Sequence, residues 1–298
     1  MNKKIFSTIA AIVTSVLWGS AFIAQDLGMD HIGPYTFNSA RLFVGSLCLL
    51  PFFLIFELKK IKEKKIDIKK VSFFLIFLGF LLGFGQALQQ VSLLYTDVAN
   101  SGMFTVMYVL IVPIISLLFF SKKIHWSVWP AVFMSLIGAY LLSELDNLSV
   151  RYGDILVILS AFFWAFQIIY IGKTLKIFNF PIAVAFFQCF FATIFSYPLV
   201  YFFEDPSLNN IIKESYEILY VGIFSSGVAF LLQSYSLQNL SPAPAAIIYS
   251  LEGVFAAIFG WVILSQYLST IKILGIVLIL SAVIFSQLIP IYDKKKYG

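Results

Sequence analysis

Ten long apolar segments constrain what this chain can fold into. They cover residues 5–25, 35–57, 71–92, 97–120, 126–143, 153–173, 181–203, 217–236, 243–265 and 270–290. A helix that crosses a bilayer needs about 20 mainly apolar residues, so each segment can cross once. Hydrophobic residues make up 60% of the chain and charged residues only 12%, against about a quarter charged in soluble domains. The sequence therefore predicts an all-α integral membrane protein with ten transmembrane helices and no soluble domain.

Single residues recur in the two halves of the chain at a separation of 146 or 147 positions. The recurring pairs are Trp18 and Trp164, Pro34 and Pro181, Arg41 and Gln188, Pro51 and Pro198, and Glu57 and Glu204. We therefore predict two five-helix repeats, residues 1–146 and 147–298. Five crossings end on the face opposite to the start, so the second repeat must be inverted. Inverted repeats are typical of secondary transporters, which hold their substrate near the bilayer midplane between the halves.

The basic residues are concentrated in alternate loops. Of the 20 lysines and arginines, 16 lie at 3–4, 59–70, 122–123, 173–176 and 294–296, which ten spans place on one face. The positive-inside rule then places both termini in the cytoplasm. The net charge of +5 is thus assigned to orientation and contact with anionic lipid, and not to nucleic acid. We interpret residues 5–25 as the first span and not as a cleaved signal peptide, because the apolar stretch is too long.

The sequence offers no signature of an enzyme or of a cofactor. It contains no phosphate-binding loop, no glycine-rich dinucleotide turn and no zinc-protease motif. Cys48 and Cys189 lie in different spans, and His31 and His125 fall in loops on opposite faces. We therefore predict no catalysis, no cofactor and no metal site.

Several residues resemble a known family in their order and spacing. They are Trp18-Gly19 in the first span, Arg41 in the second, the segment 100–113 in the fourth and the run 251–257 in the ninth. The chain resembles the EamA-type, ten-helix members of the drug/metabolite transporter superfamily, although Gly253 stands where the family often has proline. The resemblance implies eight helices around a central cavity, with the fifth and tenth outside as supports. It also implies transport, and several members export amino acids.

Arg41 and Glu252 are the charged residues that lie clearly inside predicted spans. A charge in the bilayer core costs about 2.5–3.5 kcal/mol on insertion scales. Their depths differ by roughly 5 Å at 1.5 Å of rise per residue, so we hypothesise that they pair. Glu252 is a candidate for proton coupling or for binding a substrate ammonium group, or it is a structural carboxyl. Arg41 either holds a carboxylate or phosphate or is a packing contact near the outer mouth.

Polar and aromatic residues recur on single helix faces. Ser15, Trp18, Phe22 and Gln25 form one stripe of the first span, and Ser101, Thr105 and Tyr108 mark the fourth. In the third span, the amides of Gln86, Gln89 and Gln90 lie three and four residues apart on one face. Because amides that face lipid go unsatisfied, these stripes should face the bundle interior. We predict that the substrate-binding residues are Trp18, Arg41, Gln86, Gln90, Tyr108, Trp164, Gln167, Gln188, Tyr249 and Glu252.

Glycine and proline positions carry structural predictions. Gly79 and Gly83 have the small-xxx-small spacing that allows two helices to approach closely. Pro51 and Pro198 lie at equivalent positions inside spans, where each can bend its helix.

These observations favour a secondary exporter of small polar metabolites that works by alternating access. Amino acids are the preferred substrates, since Arg41 and Glu252 would complement a zwitterion. Alternatives are an exporter of cationic drugs, a carrier of nucleotide sugars or lipid-linked intermediates, and, from a different class, a non-transporting membrane scaffold or sensor. The predicted partners are a small-molecule substrate and the lipid bilayer, in a bacterial cytoplasmic membrane. Nothing in the sequence predicts the oligomeric state.

Overall fold

The computed structural model of the protein describes residues 3–64, 66–96, 98–120, 123–143, 151–265 and 267–297. Within these ranges all regular secondary structure is helical, and no strand occurs. The predicted all-α class is therefore confirmed.

The apolar helices follow one another with short connections. They are α1 (Lys3–Leu27), α2 (Pro34–Glu63), α3 (Lys69–Ser92), α4 (Asn100–Leu118), α5 (Val128–Ser143), α6 (Tyr152–Ile177), α7 (Pro181–Phe203), α8 (Ser215–Leu237), α9 (Pro242–Ile263) and α10 (Thr270–Pro290). In the described residues, all of them except α5 have the length and composition needed to cross a membrane. A further short helix, Leu208–Lys213, precedes α8.

The fifth predicted span, 126–143, is only partly reproduced. Helix α5 has 16 residues, or roughly 24 Å at 1.5 Å per residue, against about 30 Å of hydrocarbon. The residues that follow it, 144–150, lie outside the described ranges. The described ranges thus contain nine helices of spanning length, and the tenth crossing remains a prediction.

The two equivalent prolines are followed by different backbone. After Pro51, helix α2 passes through a π-helical turn over Phe53–Glu57. Around Pro198, helix α7 continues as regular α-helix to Phe203. A second π-helical segment, Val221–Val228, lies in α8 and contains no proline. Proline alone therefore does not decide where these helices depart from regular geometry.

Glycines bring α3 and α7 into close contact. A Cβ atom added to Gly83 would lie 3.0 Å from the Ala192 carbonyl oxygen of α7, and one added to Gly79 would collide with Phe191. Since a side chain would push the helices apart, this pair of glycines acts as the predicted small-xxx-small contact.

Two glutamates link α2 and α7 reciprocally, and we call these contacts the glutamate caps. Glu57, in the last turns of α2, accepts hydrogen bonds from the Ile182 and Ala183 amides of α7 at 3.2 and 2.7 Å. Glu204, directly after α7, accepts from the Tyr35 and Thr36 amides of α2 at 2.9 and 2.7 Å. These amides occupy the second and third positions of their helices, where no intrahelical acceptor exists. Helices α2 and α7 therefore lie antiparallel, and each has its N-terminus capped by the other.

Glu57→Gln and Glu204→Gln are each expected to lower the free energy of unfolding by about 2 kcal/mol, because each removes a charged acceptor shared by two helix-terminal amides. The measurement is the melting temperature of the purified protein in detergent. Asp205→Asn is the matched control, since this carboxylate is adjacent to Glu204 but exposed. Equal melting temperatures for all three variants would show that the glutamate caps do not stabilise the fold.

Candidate functional site

A polar cavity lies between seven helices of the bundle. It encloses about 430 Å³ of space, including its opening. Helices α1 to α4 contribute Trp18, Phe22, Gln25, Arg41, Gln86, Gln89, Thr105 and Tyr108, and helices α6, α8 and α9 contribute Trp164, Ile168, Ser225, Gln233 and Glu252. Helices α5 and α10 contribute no lining residue, as the family resemblance implies. Helix α7 contributes none either, so seven helices rather than eight form the wall.

Arg41 lies in the wall of this central cavity and is only 1% exposed. Its Nη1 donates to Gln25 Oε1 at 2.7 Å, and its Nε and Nη2 donate to Asn38 Oδ1 at 3.3 Å. These partners are neutral, and among the described residues no carboxylate forms an ion pair with Arg41. The guanidinium is therefore held by dipoles while its positive charge has no countercharge in contact.

Glu252 lies in the wall of the same cavity and is 5% exposed. It follows a tight turn of α9 at Ser250 and belongs to the first turn of the helical segment Leu251–Leu264. The Tyr108 hydroxyl donates to Glu252 Oε1 at 3.1 Å. In the described part of the chain no cation forms an ion pair with this carboxyl. A single neutral donor therefore supports it.

The hypothesis that Arg41 and Glu252 pair is wrong for this structure. Each side chain is satisfied by neutral groups on the helices nearest to it: Gln25 and Asn38 for Arg41, and Tyr108 for Glu252. The depth argument compared positions along the membrane normal only, and a similar depth does not by itself bring two side chains within ion-pair distance. The result is a cavity that carries one positive and one negative group on different parts of its wall.

Aromatic rings form a cluster around Trp18 beside the charged groups. The Trp18 ring centroid lies 6.2 Å from that of Trp164, 5.6 Å from that of Phe230 and 5.5 Å from that of Tyr249. Its indole nitrogen donates to the Ser225 carbonyl at 3.3 Å. The two tryptophans that recur in the sequence thus meet at the cavity wall, where their faces can contact an apolar group or a cation.

Two polar atoms of the cavity wall have no partner among the described residues. They are the acceptor Gln86 Oε1 and the donor Trp164 Nε1, and both are buried. Buried polar atoms are nearly always hydrogen-bonded, so an unpartnered donor and acceptor in one cavity are candidates for ligand contact.

Of the predicted site residues, the structure brings six together and places four elsewhere. Trp18, Arg41, Gln86, Tyr108, Trp164 and Glu252 line the cavity. Gln90, Gln167, Gln188 and Tyr249 do not line it.

The four remaining residues connect helices behind the cavity wall. Gln90 donates to the Gln25 carbonyl at 2.9 Å, and Tyr249 shares a hydrogen bond with the Ser236 hydroxyl. Gln167 donates to Gln188 at 3.2 Å and exchanges two hydrogen bonds with Gln233, at 3.0 and 3.1 Å. In this structure Gln90, Gln167 and Tyr249 thus contact residues of the cavity wall, and Gln188 contacts Gln167.

Seven lining residues were not among the predicted binding residues. Phe22, Gln25, Gln89 and Thr105 already belong to the polar stripes identified in the sequence, and taking every member of each stripe would have included them. Gln233 is an amide inside an apolar span, which is itself a signal. Nothing in the sequence distinguishes Ile168 or Ser225 from other residues of their helices.

Histidine and cysteine contribute no metal site in the described ranges, where no three His, Cys, Asp or Glu side chains cluster. His31 pairs with Glu214, and His125 hydrogen-bonds to Ser127 at 2.8 Å. The Cys189 thiol donates to the Ser226 carbonyl at 3.3 Å. The side chains that line the cavity include two of opposite charge, several amides and aromatic rings.

Comparison with known proteins agrees with this architecture. The model of the EamA-like transporter family matches the chain twice, over residues 5–144 and 151–288. An uncharacterized transporter of Archaeoglobus fulgidus is 30% identical over 291 residues, which cover 96% of this chain and 87% of that protein. The uncharacterized transporter YoaV of Bacillus subtilis is 23% identical over 275 residues, covering 90% and 92%.

A solved structure shares the fold of the chain. It superposes with a TM-score of 0.79 over 98% of this chain and 99% of that one, at 13% sequence identity. Two matched family domains with many apolar helices establish a multi-pass membrane protein. The chain belongs to the EamA-like transporter family, within the drug/metabolite transporter superfamily.

Proposed function

We propose that this transporter is a secondary exporter of small zwitterionic metabolites, with amino acids as the preferred class, in the cytoplasmic membrane of a bacterium. One observation carries the proposal: Arg41 and Glu252 line the same cavity, and each has only neutral hydrogen-bond partners among the described residues. A ligand with one carboxylate and one ammonium group supplies both missing countercharges.

The chemistry of each group favours this assignment. A guanidinium matches a carboxylate with two parallel hydrogen bonds, and Glu252 accepts from an ammonium group. In a desolvated cavity an unpaired charge is costly, so a ligand that pairs both charges at once gains the most. Gln86 Oε1 and Trp164 Nε1 provide a further acceptor and donor for the polar part of the ligand.

The alternative substrates fit the cavity less well. A nucleotide sugar carries two or more negative charges, whereas Arg41 is the single cationic residue of the described cavity wall. A cationic drug would use Glu252 and the ring cluster around Trp18, but it would leave Arg41 without a countercharge. A zwitterion can pair with both Arg41 and Glu252.

Helix contacts support an inverted arrangement of residues 1–146 and 147–298. Helix α1 packs against α8 and α9, and α6 packs correspondingly against α3 and α4. Helix α2 packs against α8, α7 packs against α3, and α5 and α10 pair with each other. The glutamate caps between α2 and α7 also map onto each other when the two repeats are interchanged. Such pairing suits alternating access, in which one half rocks against the other. The positive-inside rule, applied to the lysine-rich loops, supports a cytoplasmic position for both termini.

We assign proton coupling to Glu252. A carboxyl in the membrane interior that binds the substrate ammonium can instead carry a proton when the substrate leaves. Exchange of proton against substrate would then export amino acids into a more acidic exterior.

Counterflow in proteoliposomes tests the proposed function. Vesicles are preloaded with one unlabelled amino acid from a panel, and entry of the labelled compound is followed. We expect saturable accumulation of at least one amino acid, absent from protein-free vesicles, and further accumulation when a pH gradient is imposed. A flat response across the panel, with protein of native melting temperature correctly inserted, would reject the amino-acid proposal. Counterflow that ignores the pH gradient would reject the coupling role.

A further inference from the structure

A second, larger space lies beside the central cavity, and we call it the apolar crevice. It encloses about 790 Å³, including its opening, between α4, α5, α9 and the start of α10. Its wall includes Val98, Met103, Val106, Leu142, Ala256 and Trp261. The described polar residues of the crevice are few: Ser143, whose hydroxyl donates to the Tyr140 carbonyl at 2.7 Å, and Tyr267 and Lys272. Most of the described wall is therefore hydrocarbon, and Lys272 is the one charged residue among the described lining residues.

The apolar crevice and the central cavity share a wall. Phe22 lines both spaces. On α4, Thr105 lines the cavity and Val106 lines the crevice. On α9, Glu252 lines the cavity and the next residue, Gly253, lines the crevice. The two spaces therefore border the same stretches of α4 and α9 and have Phe22 in common.

Two glycines leave the crevice open. A Cβ atom added to Gly102 would have no neighbour within 4 Å, and one added to Gly253 would meet only Leu142 Cδ1 at 3.9 Å. By contrast, a Cβ atom on Gly19 would meet three atoms of α9 at 2.6 to 2.8 Å. Gly19 is therefore needed for helix contact, whereas Gly102 and Gly253 border space.

We infer that the substrate is an amino acid with a long apolar side chain, whose charged head binds between Arg41 and Glu252 while the side chain passes Phe22 into the apolar crevice. This inference rests on the proposed function and narrows its substrate class. The charges of the cavity select the zwitterionic head. The crevice, next to Glu252 and lined by hydrocarbon, selects the side chain.

The test is counterflow with a series of unbranched 2-amino acids, from alanine through 2-aminobutyrate and norleucine to 2-aminooctanoate. Burial of one methylene group corresponds to a factor of about four in affinity. We therefore expect KM to fall by up to about fourfold for each added methylene group until the crevice is filled.

Gly102 lines the crevice and an added Cβ atom has no neighbour within 4 Å, so Gly102→Leu is expected to place its side chain in the crevice. We expect the preference for 2-aminooctanoate over alanine to fall toward one in this variant. Gly253→Ala adds a single methyl group and should reduce the preference by a smaller factor. Gly172→Ala is the control, because its Cβ atom would meet only Pro242 Cγ, at 3.6 Å, away from the crevice. In this variant KM should depend on side-chain length as in the wild type.

The outcomes separate this inference from the proposed function. Transport of alanine with a KM series that is flat in side-chain length would overturn the inference and leave the proposed function standing. If Gly102→Leu has a native melting temperature but loses transport equally for all side-chain lengths, the inference is also overturned. The crevice would then serve helix motion or membrane lipid. If no member of the series is carried but another amino acid of the panel is, the inference fails and the proposed function stands; if no amino acid at all is carried, both fail.

Discussion

Glu252→Gln is expected to lower amino-acid counterflow, measured as kcat/KM, by between ten- and a hundredfold. A charged hydrogen bond contributes about 1.5–3 kcal/mol, and each 1.4 kcal/mol corresponds to a factor of about ten. The substitution removes the negative charge that faces the substrate ammonium and retains the shape of the side chain. Tyr108 can still donate to the remaining amide oxygen, so the local fold should persist.

A substrate analogue sharpens this prediction. A carboxylic acid of the same carbon skeleton but without the amino group has no ammonium to lose, so its weak transport should be equal in wild type and Glu252→Gln. Glu217→Gln, a partly buried carboxyl of α8 outside the cavity, should behave as wild type. Undiminished amino-acid transport by Glu252→Gln would show that this carboxyl is not a substrate ligand.

Arg41→Gln is expected to reduce kcat/KM for amino acids by about a hundredfold. Removal of the guanidinium deprives the substrate carboxylate of two charge-assisted hydrogen bonds. It also leaves Gln25 and Asn38 without their donor, so the melting temperature must be measured in parallel. Arg41→Lys keeps the charge but not the planar guanidinium group with its paired donors, so it should give an intermediate loss of kcat/KM.

The matching analogue for Arg41 is an amino-acid amide, which lacks the carboxylate. Its transport should change little on Arg41→Gln while that of the parent amino acid falls. If the amino acid and its amide lose transport equally, Arg41 acts through helix packing and not through the substrate carboxylate. If neither changes, the central charge pair is not a zwitterion site, and an exporter of cations becomes the better description.

The sequence predicted the class of fold because membrane helices obey local rules. A run of about 20 apolar residues must satisfy its backbone polar groups within itself, so helix follows from composition alone. Nine of the ten predicted spans coincide with described helices of spanning length. At the fifth span the described helix α5 has only 16 residues, and the residues that follow it lie outside the described ranges.

The sequence also predicted Arg41, Gln86 and Glu252, which line the cavity, because a charge or amide inside an apolar span is rare and needs a polar surrounding. It could not decide which amides reach the cavity and which connect helices behind it. Gln86 and Gln90 are one turn apart on α3, yet Gln86 lines the cavity and Gln90 donates to the Gln25 carbonyl. Helical spacing defines a face broadly, and the neighbouring helix decides what that face meets.

The sequence by itself determined the membrane-spanning helices, the repeated halves and the two charges inside the bundle. The tertiary structure alone decided that Arg41 is bound by Gln25 and Asn38, that Glu252 is bound by Tyr108, and that the two charges remain apart. It also decided that Gly79 and Gly83 join helices while Gly102 borders open space. Hydrophobicity and the hydrogen bonding of the backbone within a helix depend on residues that are close in sequence, so the sequence alone predicts them. Partner choice and free volume depend on which helices lie side by side, and no segment of the chain carries that information alone.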